Sequence, residues 1–458
     1  MGALRLCLAL LVATAHLAAV VKAIPAWMSA HAVFAVRAFF VLSGFYMALV
    51  LSERYDRPWA FYASRLTKLL PIYWLISILT IIGVVALAPS GILPPFGFAA
   101  GWRQLGLAAL PPGPLVYTVA TLSTLIGSDT WVWLDFTSDA WSISPPMRPA
   151  SALDFSGTPQ AWTLGLELWF YLLAPFLVKM PTSWLVGLIA ASLSLRAYCQ
   201  PFIAGNAFDR ALFPLELVFF LLGIVAFRCG PSIERLKAAP VAVTLIAAIG
   251  LCGVAVSQFI STGPYPSWAT ACAPFAALAL TTPFLFRVTK SSRIDAALGA
   301  LSYPVYMAQF LVFAIVYQVT ARVPFLDLPW WAALPLNLAC LVVFSIAIDR
   351  IVAQPVDRLR LRFGARRRPS TSEGLWQSEK SVRRDRATSR IWDYLPADRN
   401  VTGKLWRSIR SMKQVISASK SGASRWGANA SYWRCRINSA SSGSAAPAAD
   451  QPSQRVRG

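Results

Sequence analysis

The sequence predicts an all-α protein: a polytopic bundle of about ten transmembrane helices with both termini in the cytoplasm and a disordered, basic C-terminal tail. Hydrophobic residues make up 56% of the 458 residues and charged residues only 14%, which is more apolar surface than a soluble domain needs. Several separate apolar runs approach the twenty residues that a helix needs to cross the hydrocarbon. The basic residues collect in loops and after Phe363, so the net charge of +22 indicates membrane orientation rather than nucleic-acid binding.

The apolar runs predict ten spans. They lie near residues 4–23, 32–51, 69–89, 162–179, 184–199, 211–228, 240–260, 268–288, 299–320 and 331–351. A further apolar segment, 103–127, is interrupted by Pro111, Pro112 and Pro114. If it crossed the membrane, the later basic loops and the tail would lie outside, against the positive-inside rule. One long outer loop over 90–161 places them all in the cytoplasm, so ten spans is the consistent solution.

The chain divides into a membrane domain, 1–362, and a tail, 363–458. In the tail hydrophobic periodicity stops and Ser, Arg, Ala and Lys predominate. Such a composition cannot bury enough apolar area to offset the entropy lost on ordering, so we expect a solvated cytoplasmic tail attracted to anionic lipid. Seven cysteines without a CxxC pair predict neither a zinc site nor a disulfide framework, and no metal is expected.

The first span carries a histidine, His16, eleven residues after Arg5. At 100° per residue this spacing returns almost to the same helix face, about 16 Å further along the axis. One face of the helix thus carries a cation at the cytoplasmic end and an imidazole deeper in the membrane. The alternative is an Arg5 side chain that extends to the interface and a His16 that only bonds a neighbouring helix.

Three more ionisable residues fall at a similar depth below the outer surface: Arg37, Glu167 and Glu216. Charged groups are costly inside a membrane and are rarely kept without a partner or a task. Together with His16 they predict a polar cavity open to the outer face, in which a carboxylate pairs with Arg37 or orients the imidazole. The alternative is a set of ion pairs that only hold helices together.

On the cytoplasmic side, Arg65 and Lys68 lie three residues apart on one helix, so they point the same way. With Arg5 they form a group of three cations at the membrane mouth. Such a group suits the phosphates of a nucleotide-like cofactor. It suits lipid headgroups equally well.

Five motifs follow one another along the chain. They are Arg5-x10-His16, Phe39-Phe40-Val41-Leu42-Ser43-Gly44-Phe45, Arg65-x-x-Lys68-x-x-Pro71-x-Tyr73, Trp162-Thr163-Leu164-x-x-Glu167-x-x-Phe170-Tyr171-x-x-x-Pro175, and Leu298-Gly299-x-x-Ser302-Tyr303-x-x-Tyr306. In this order, over about residues 4–362, they resemble the acyltransferase 3 family of membrane acyltransferases, whose members modify surface polysaccharides and similar molecules.

The chain departs from the family pattern at several positions. Lys68 stands where a second Arg is common, which keeps the charge but weakens bidentate phosphate contact. Gln309 takes a position that His often fills, and Gln354 precedes Pro355 where Glu is common. Ala35 and Arg37 replace a Gly and an acidic residue. These departures bear on efficiency and substrate identity more than on the reaction class.

The resemblance implies a transferase that moves acyl groups other than aminoacyl groups. Its donor would be an acyl-CoA, in the simplest case acetyl-CoA, bound from the cytoplasm. Arg5, Arg65 and Lys68 would bind its phosphates. His16 would act as general base toward an acceptor hydroxyl or carry the acyl group itself.

The acceptor side is implied in the same way. Glu167 would orient His16 or position the sugar, and the acceptor site would also use Arg37, Glu216, Trp162 and Tyr171. Within the family pattern the Ser43-Gly44 pair is expected to permit close helix packing rather than to supply a nucleophile.

Two other classes of function stay open. One is a transporter or flippase of a lipid-linked sugar, in which the polar layer lines a pathway and no covalent step occurs. The other is an inactive acyltransferase relative retained in a polysaccharide assembly. The sequence predicts a multi-pass protein of the cell (inner) membrane with membrane lipid, acyl-CoA and a carbohydrate as partners and no nucleic acid; oligomeric state, acyl chain length and acceptor stay open.

Overall fold

A computed structural model describes most of the membrane domain. The described residues are 1–20, 24–25, 32–55, 57–87, 112–137, 140–143, 153, 156–203, 208–234, 268–321 and 328–362. The predicted span near 240–260, parts of the predicted outer loop and the predicted tail lie outside them.

The described chain is a bundle of helices. The α-helices are α1 (Gly2–Val20), α2 (Ala32–Glu53), α3 (Pro58–Leu87), α4 (Pro112–Thr124), α5 (Trp162–Leu177), α6 (Thr182–Ile203), α7 (Phe208–Ala211), α8 (Phe213–Glu234), α9 (Trp268–Thr289), α10 (Arg293–Ala321), α11 (Trp330–Ile348) and α12 (Gln354–Arg362). Short 3₁₀ turns cover Ser128–Val132 and Pro159–Ala161, and a π-helical turn, Asp349–Ala353, joins α11 to α12.

The polytopic helical bundle predicted from hydropathy is confirmed. Among the described residues, six helices (α2, α3, α6, α8, α10 and α11) are long and apolar enough to cross a membrane, and α1, α4 and α9 contain shorter apolar helices. Nine of the ten predicted spans coincide with helices, and the tenth falls outside the described residues. The number of spans and the side of each terminus stay predictions.

Helix α4 lies in the apolar segment 103–127. The charge pattern was used above to predict that this segment does not cross the membrane. Its 13 residues correspond to about 20 Å, against about 30 Å of hydrocarbon. It packs on α3, where the Trp74 indole donates to the Ser123 carbonyl at 2.8 Å. Because residues 88–111 lie outside the described part of the chain, the interpretation of 90–161 as an outer loop stays a prediction.

A short β-hairpin follows, which the all-α prediction did not include. Strand β1 (Leu134–Thr137) pairs antiparallel with β2 (Ala140–Ile143) in the register Leu134↔Ile143 to Thr137↔Ala140. Two four-residue strands are marginal on their own, so the hairpin belongs to the loop between α4 and α5 and leaves the helical class unchanged.

Helices α2 and α8 approach each other closely at two glycines. A Cβ on Gly44 would lie 2.0 Å from the Phe220 carbonyl oxygen, and one on Gly223 would lie 2.1 Å from that of Val41. Small residues let helix backbones approach in this way. The Phe40 and Phe220 rings stack beside the contact with centroids 4.5 Å apart.

The α1 N-terminus is held by α10. The Asp295 carboxylate accepts the backbone N–H groups of Gly2 at 2.7 Å and Ala3 at 2.9 Å. An acidic group at a helix N-terminus satisfies unpaired N–H groups and complements the helix dipole. This cap fixes the position of Arg5, one turn further along α1.

The π-helical turn before α12 has a local cause. Pro355 has no N–H to bond the preceding turn, so the regular hydrogen-bond ladder is interrupted there. The Gln354 side chain donates to the Asp349 carboxylate at 2.9 Å across the interruption. The turn brings Asp349 and Ala353 to the wall of the cavity described next.

Candidate active site

A cavity of about 550 Å³ opens among α1, α2, α3, α5, α10 and α12. This volume is typical of sites for small molecules and cofactors. Its charged lining residues are Arg5, Arg54, Arg65, Lys68, Lys290, Glu167, Asp295, Asp349 and Asp357. Because five cations face four carboxylates, the cavity is not uniformly positive.

The three predicted phosphate-binding cations line this one cavity. Arg5, on α1, has its guanidinium 5.7 Å from the centroid of the Tyr46 ring. Arg65 lies 5.5 Å from the centroid of the Phe61 ring, and its buried Nε has no hydrogen-bond partner among the described residues. Lys68 follows on the next turn of α3. Planar stacking of this kind leaves guanidinium N–H groups available to an anion.

Two further cations, Arg54 and Lys290, join the lining from the connections α2–α3 and α9–α10. The sequence interpretation used both loops only to assign membrane orientation. Their proximity to Arg5 follows from the packing of α1 between α2 and α10, which no local pattern indicates. We call the end of the bundle that carries these cations the basic end.

Away from the basic end the cavity is lined by Ser43, Glu167 and Tyr171. The Ser43 hydroxyl donates to Glu167 Oε1 at 2.7 Å, and the Tyr171 hydroxyl donates to the same oxygen at 2.5 Å. A carboxylate that accepts two short hydrogen bonds is held in one orientation. Of the predicted catalytic and acceptor-binding residues, Glu167 and Tyr171 thus meet in the cavity.

Beyond these residues, Tyr306 and Thr163 line the same cavity. Their hydroxyl oxygens lie 2.7 Å apart, and the Tyr306 hydroxyl also donates to the Gln160 carbonyl at 3.0 Å. The Phe39 ring packs edge-on against Tyr306 with centroids 6.3 Å apart. We call Phe39, Thr163 and Tyr306 the closing layer.

His16, on α1, lies beside Gln309 and Phe310 of α10, one helical turn past Tyr306. Its Nδ1 is 3.1 Å from Gln309 Oε1, and its ring centroid is 4.9 Å from that of Phe310. Gln309 Nε2 donates to the Tyr306 carbonyl at 2.9 Å, so Oε1 is the acceptor and Nδ1 carries the proton. Nε2 of the imidazole is then the unprotonated nitrogen, as a general base requires.

The imidazole is therefore oriented by an amide and not by a carboxylate. We expected Glu167 or Glu216 either to pair with Arg37 or to orient the imidazole; Glu216 bonds Arg37, and Glu167 accepts from Ser43 and Tyr171. Gln309, noted as a departure at a position often filled by His, supplies the contact instead. Within the described part of the chain, His16 is not among the residues that line the cavity.

Two more of the predicted acceptor residues, Arg37 and Glu216, lie in a separate ion-pair cluster. Arg37 donates to the Glu216 carboxylate through Nε at 3.1 Å and through its terminal nitrogen at 2.9 Å. Arg196 bonds the same carboxylate at 2.5 Å and Asp209 at 2.9 Å. The Glu216 side chain is only 1% exposed, so its charge depends on these two guanidinium groups.

Arg196 and Trp162 lie where the sequence did not predict them. Sequence reasoning missed Arg196, although a single charged residue within an apolar span was a signal that could have identified it. Trp162 is half-buried beside Val132 and Ala211 and, among the described residues, lies outside the cavity lining.

A family model described as an acyltransferase domain matches residues 1–350. No curated protein and no solved structure matches the chain.

Proposed function

Because the chain belongs to the acyltransferase 3 family and is a multi-pass membrane acyltransferase, we propose that it moves an acyl group from acyl-CoA to a hydroxyl of a cell-surface or exported carbohydrate. The acyl group is acetyl in the simplest case, and the membrane is the inner membrane of the cell. The observation that carries this proposal is one cavity that joins a cluster of cations to a partly buried Ser43–Glu167–Tyr171 group.

The donor occupies the basic end of the cavity. Arg5, Arg65 and Lys68 bind its phosphates, with Arg54 and Lys290 adding charge. The diphosphate and the ribose phosphate of CoA carry several negative charges, which a group of separate guanidinium and ammonium groups can contact individually. The thioester then reaches the neighbourhood of Glu167.

The acceptor approaches from the opposite end. His16 receives the proton of its hydroxyl at Nε2, because the Gln309 amide holds the proton on Nδ1; in an alternative route the imidazole carries the acyl group itself. Arg37, Glu216 and Trp162 contribute to the acceptor site. Arg37 and Arg196 pair with Glu216 and Asp209, and groups that both donate and accept hydrogen bonds suit sugar hydroxyls.

Acceptor-dependent release of CoA tests this function. Membranes that contain the protein should release free CoA from acetyl-CoA when cell-envelope glycan is added. His16→Ala should abolish that release, whereas Cys7→Ala, an exposed position on the same helix, should retain it. Full activity in His16→Ala would remove the imidazole from the mechanism.

The acceptor and acyl group can be identified together. Mass spectrometry of envelope glycans from cells with and without the gene should show one mass difference, which reports both. Export of the glycan that depends on the protein, with no such mass difference and no CoA release, would indicate a flippase and overturn the proposal.

A further inference from the structure

Ser43 has the contacts of an activated nucleophile. Its hydroxyl donates to Glu167 Oε1, and the Tyr171 hydroxyl donates to that same oxygen. A nucleophile within hydrogen-bond reach of a base, with a third group orienting the base, is the general pattern of covalent catalysis. All three side chains line the cavity that would hold the acyl donor.

Helix packing does not account for this hydroxyl. The close contact with α8 rests on Gly44, whose Cβ position faces the Phe220 carbonyl, and Ser43 points about 100° away around α2. Hydroxyl groups within helices commonly bond a carbonyl four residues earlier, as Thr80 and Thr282 do here. Ser43 instead reaches across to a carboxylate on α5.

Position favours Ser43 over His16 as the first acyl acceptor. A thioester in the cavity would lie beside Ser43, whereas His16 is not among the described lining residues and is linked to them through Gln309, which donates to the carbonyl of Tyr306 in the closing layer. A direct reaction between donor and an acceptor bound at His16 would require that layer to open while both substrates are present. A covalent intermediate separates the two events.

We propose that Ser43 carries the acyl group between donor and acceptor, an inference that rests on the proposed function. In the first step Ser43 Oγ attacks the thioester carbonyl. The O–C bond forms and the C–S bond breaks, and the serine proton passes through Glu167 to the departing thiolate, which leaves as CoA. In the second step the acceptor oxygen attacks the ester carbonyl and the bond to Ser43 Oγ breaks. The acceptor proton, taken up by His16, is returned to Ser43.

The test is acyl labelling without acceptor. The full chain in lipid nanodiscs is mixed with radiolabelled acetyl-CoA and quenched, and label on the protein is counted and located by peptide mass spectrometry. Wild type and His16→Ala should both carry label on Ser43, because His16 acts only in the second step. Ser43→Ala should carry none, and Glu167→Gln should label about a hundredfold more slowly.

Controls separate chemistry from folding. Ser192→Ala removes another buried serine hydroxyl, one that bonds the Pro214 carbonyl and is not a cavity residue in the described chain, and should label normally. Ser43→Cys should give a thioester adduct that neutral hydroxylamine releases, which shows a folded site even if Ser43→Ala is unstable. Tyr171→Phe should slow labelling without changing its location, as expected of a positioning residue.

The outcomes distinguish this inference from the proposed function. Transfer to glycan at the wild-type rate by Ser43→Ala, or label on His16, would overturn the serine intermediate and leave the acyltransferase intact. No label in His16→Ala, with transfer lost in Ser43→Ala, would reassign Ser43 to holding Glu167 and also overturn it. If the wild-type protein showed neither labelling nor transfer, the proposed function itself would be overturned.

Discussion

Replacing Gly44 by alanine should destabilise the protein strongly. The new Cβ would lie 2.0 Å from the Phe220 carbonyl oxygen, where ordinary contact begins at 3.4 Å. The obstructing atom belongs to a backbone, so no side-chain rotation relieves the overlap, and α2 and α8 must separate by about 1.4 Å. Overpacking commonly costs about 1–3 kcal/mol and occasionally more; we expect at least the upper end here.

The comparison uses a glycine of the same helical bundle with open space around it. Gly187, on α6, has nothing within 4 Å of its Cβ position. Gly187→Ala should be neutral or slightly stabilising, because alanine is favoured over glycine in helices by about 1 kcal/mol. Thermal unfolding in one detergent, followed by tryptophan fluorescence, gives the two Tm values, and Gly223→Ala should behave like Gly44→Ala.

A functional consequence accompanies the loss of stability. Ser43 precedes Gly44 on α2, so separation of α2 from α8 should shift the Ser43 hydroxyl relative to Glu167 and reduce turnover below the folding temperature as well. If Gly44→Ala had the same Tm as Gly187→Ala, the close packing of α2 on α8 would be refuted. The inference that Gly44 makes this contact and that the Ser43 hydroxyl does not would then fail as well.

Four other predictions concern charge and the tail. Glu216→Gln should lower stability by about 3 kcal/mol, measured by thermal unfolding, because Arg37 and Arg196 lose their most buried carboxylate and keep only Asp209; an unchanged Tm would contradict this. Lys68→Ala should raise KM for acyl-CoA with a smaller effect on kcat in steady-state kinetics, and an unchanged KM would count against phosphate binding there. Burial raises the pKa of Asp129 to about 6 from 3.8, so the stability its protonated form contributes is present below about pH 4 and lost as pH rises through 6. Asp129→Asn should therefore raise Tm more at pH 8 than at pH 5. Deletion of the residues after Gly364 should leave turnover intact in the CoA-release assay.

The positions of the helices along the chain were predictable from sequence. Hydropathy located nine helices that the structure describes, because a helix must offer about twenty apolar residues to cross the hydrocarbon and each residue adds a constant rise. The same regularity placed Arg65 and Lys68 on one face of α3, and both line the cavity with Arg5.

The partners of the polar groups were less predictable. Arg37 and Glu216 do meet, but Arg196 shares their pairing, and Glu167 bonds Ser43 and Tyr171 instead of His16. Residues at one depth can lie on any side of the bundle, so depth alone leaves several pairings possible. The order of helices around the bundle selects among them.

The sequence by itself determined that the chain is a membrane-embedded helical bundle with the acyltransferase motifs, because apolar length and helical periodicity are local properties. Only the tertiary structure decided that Gly44 brings α2 against α8, that Gln309 sets the tautomer of His16, and that Ser43 meets Glu167. These contacts join helices separated by more than a hundred residues. They depend on which helix faces pack together, and no local pattern of residues specifies that choice.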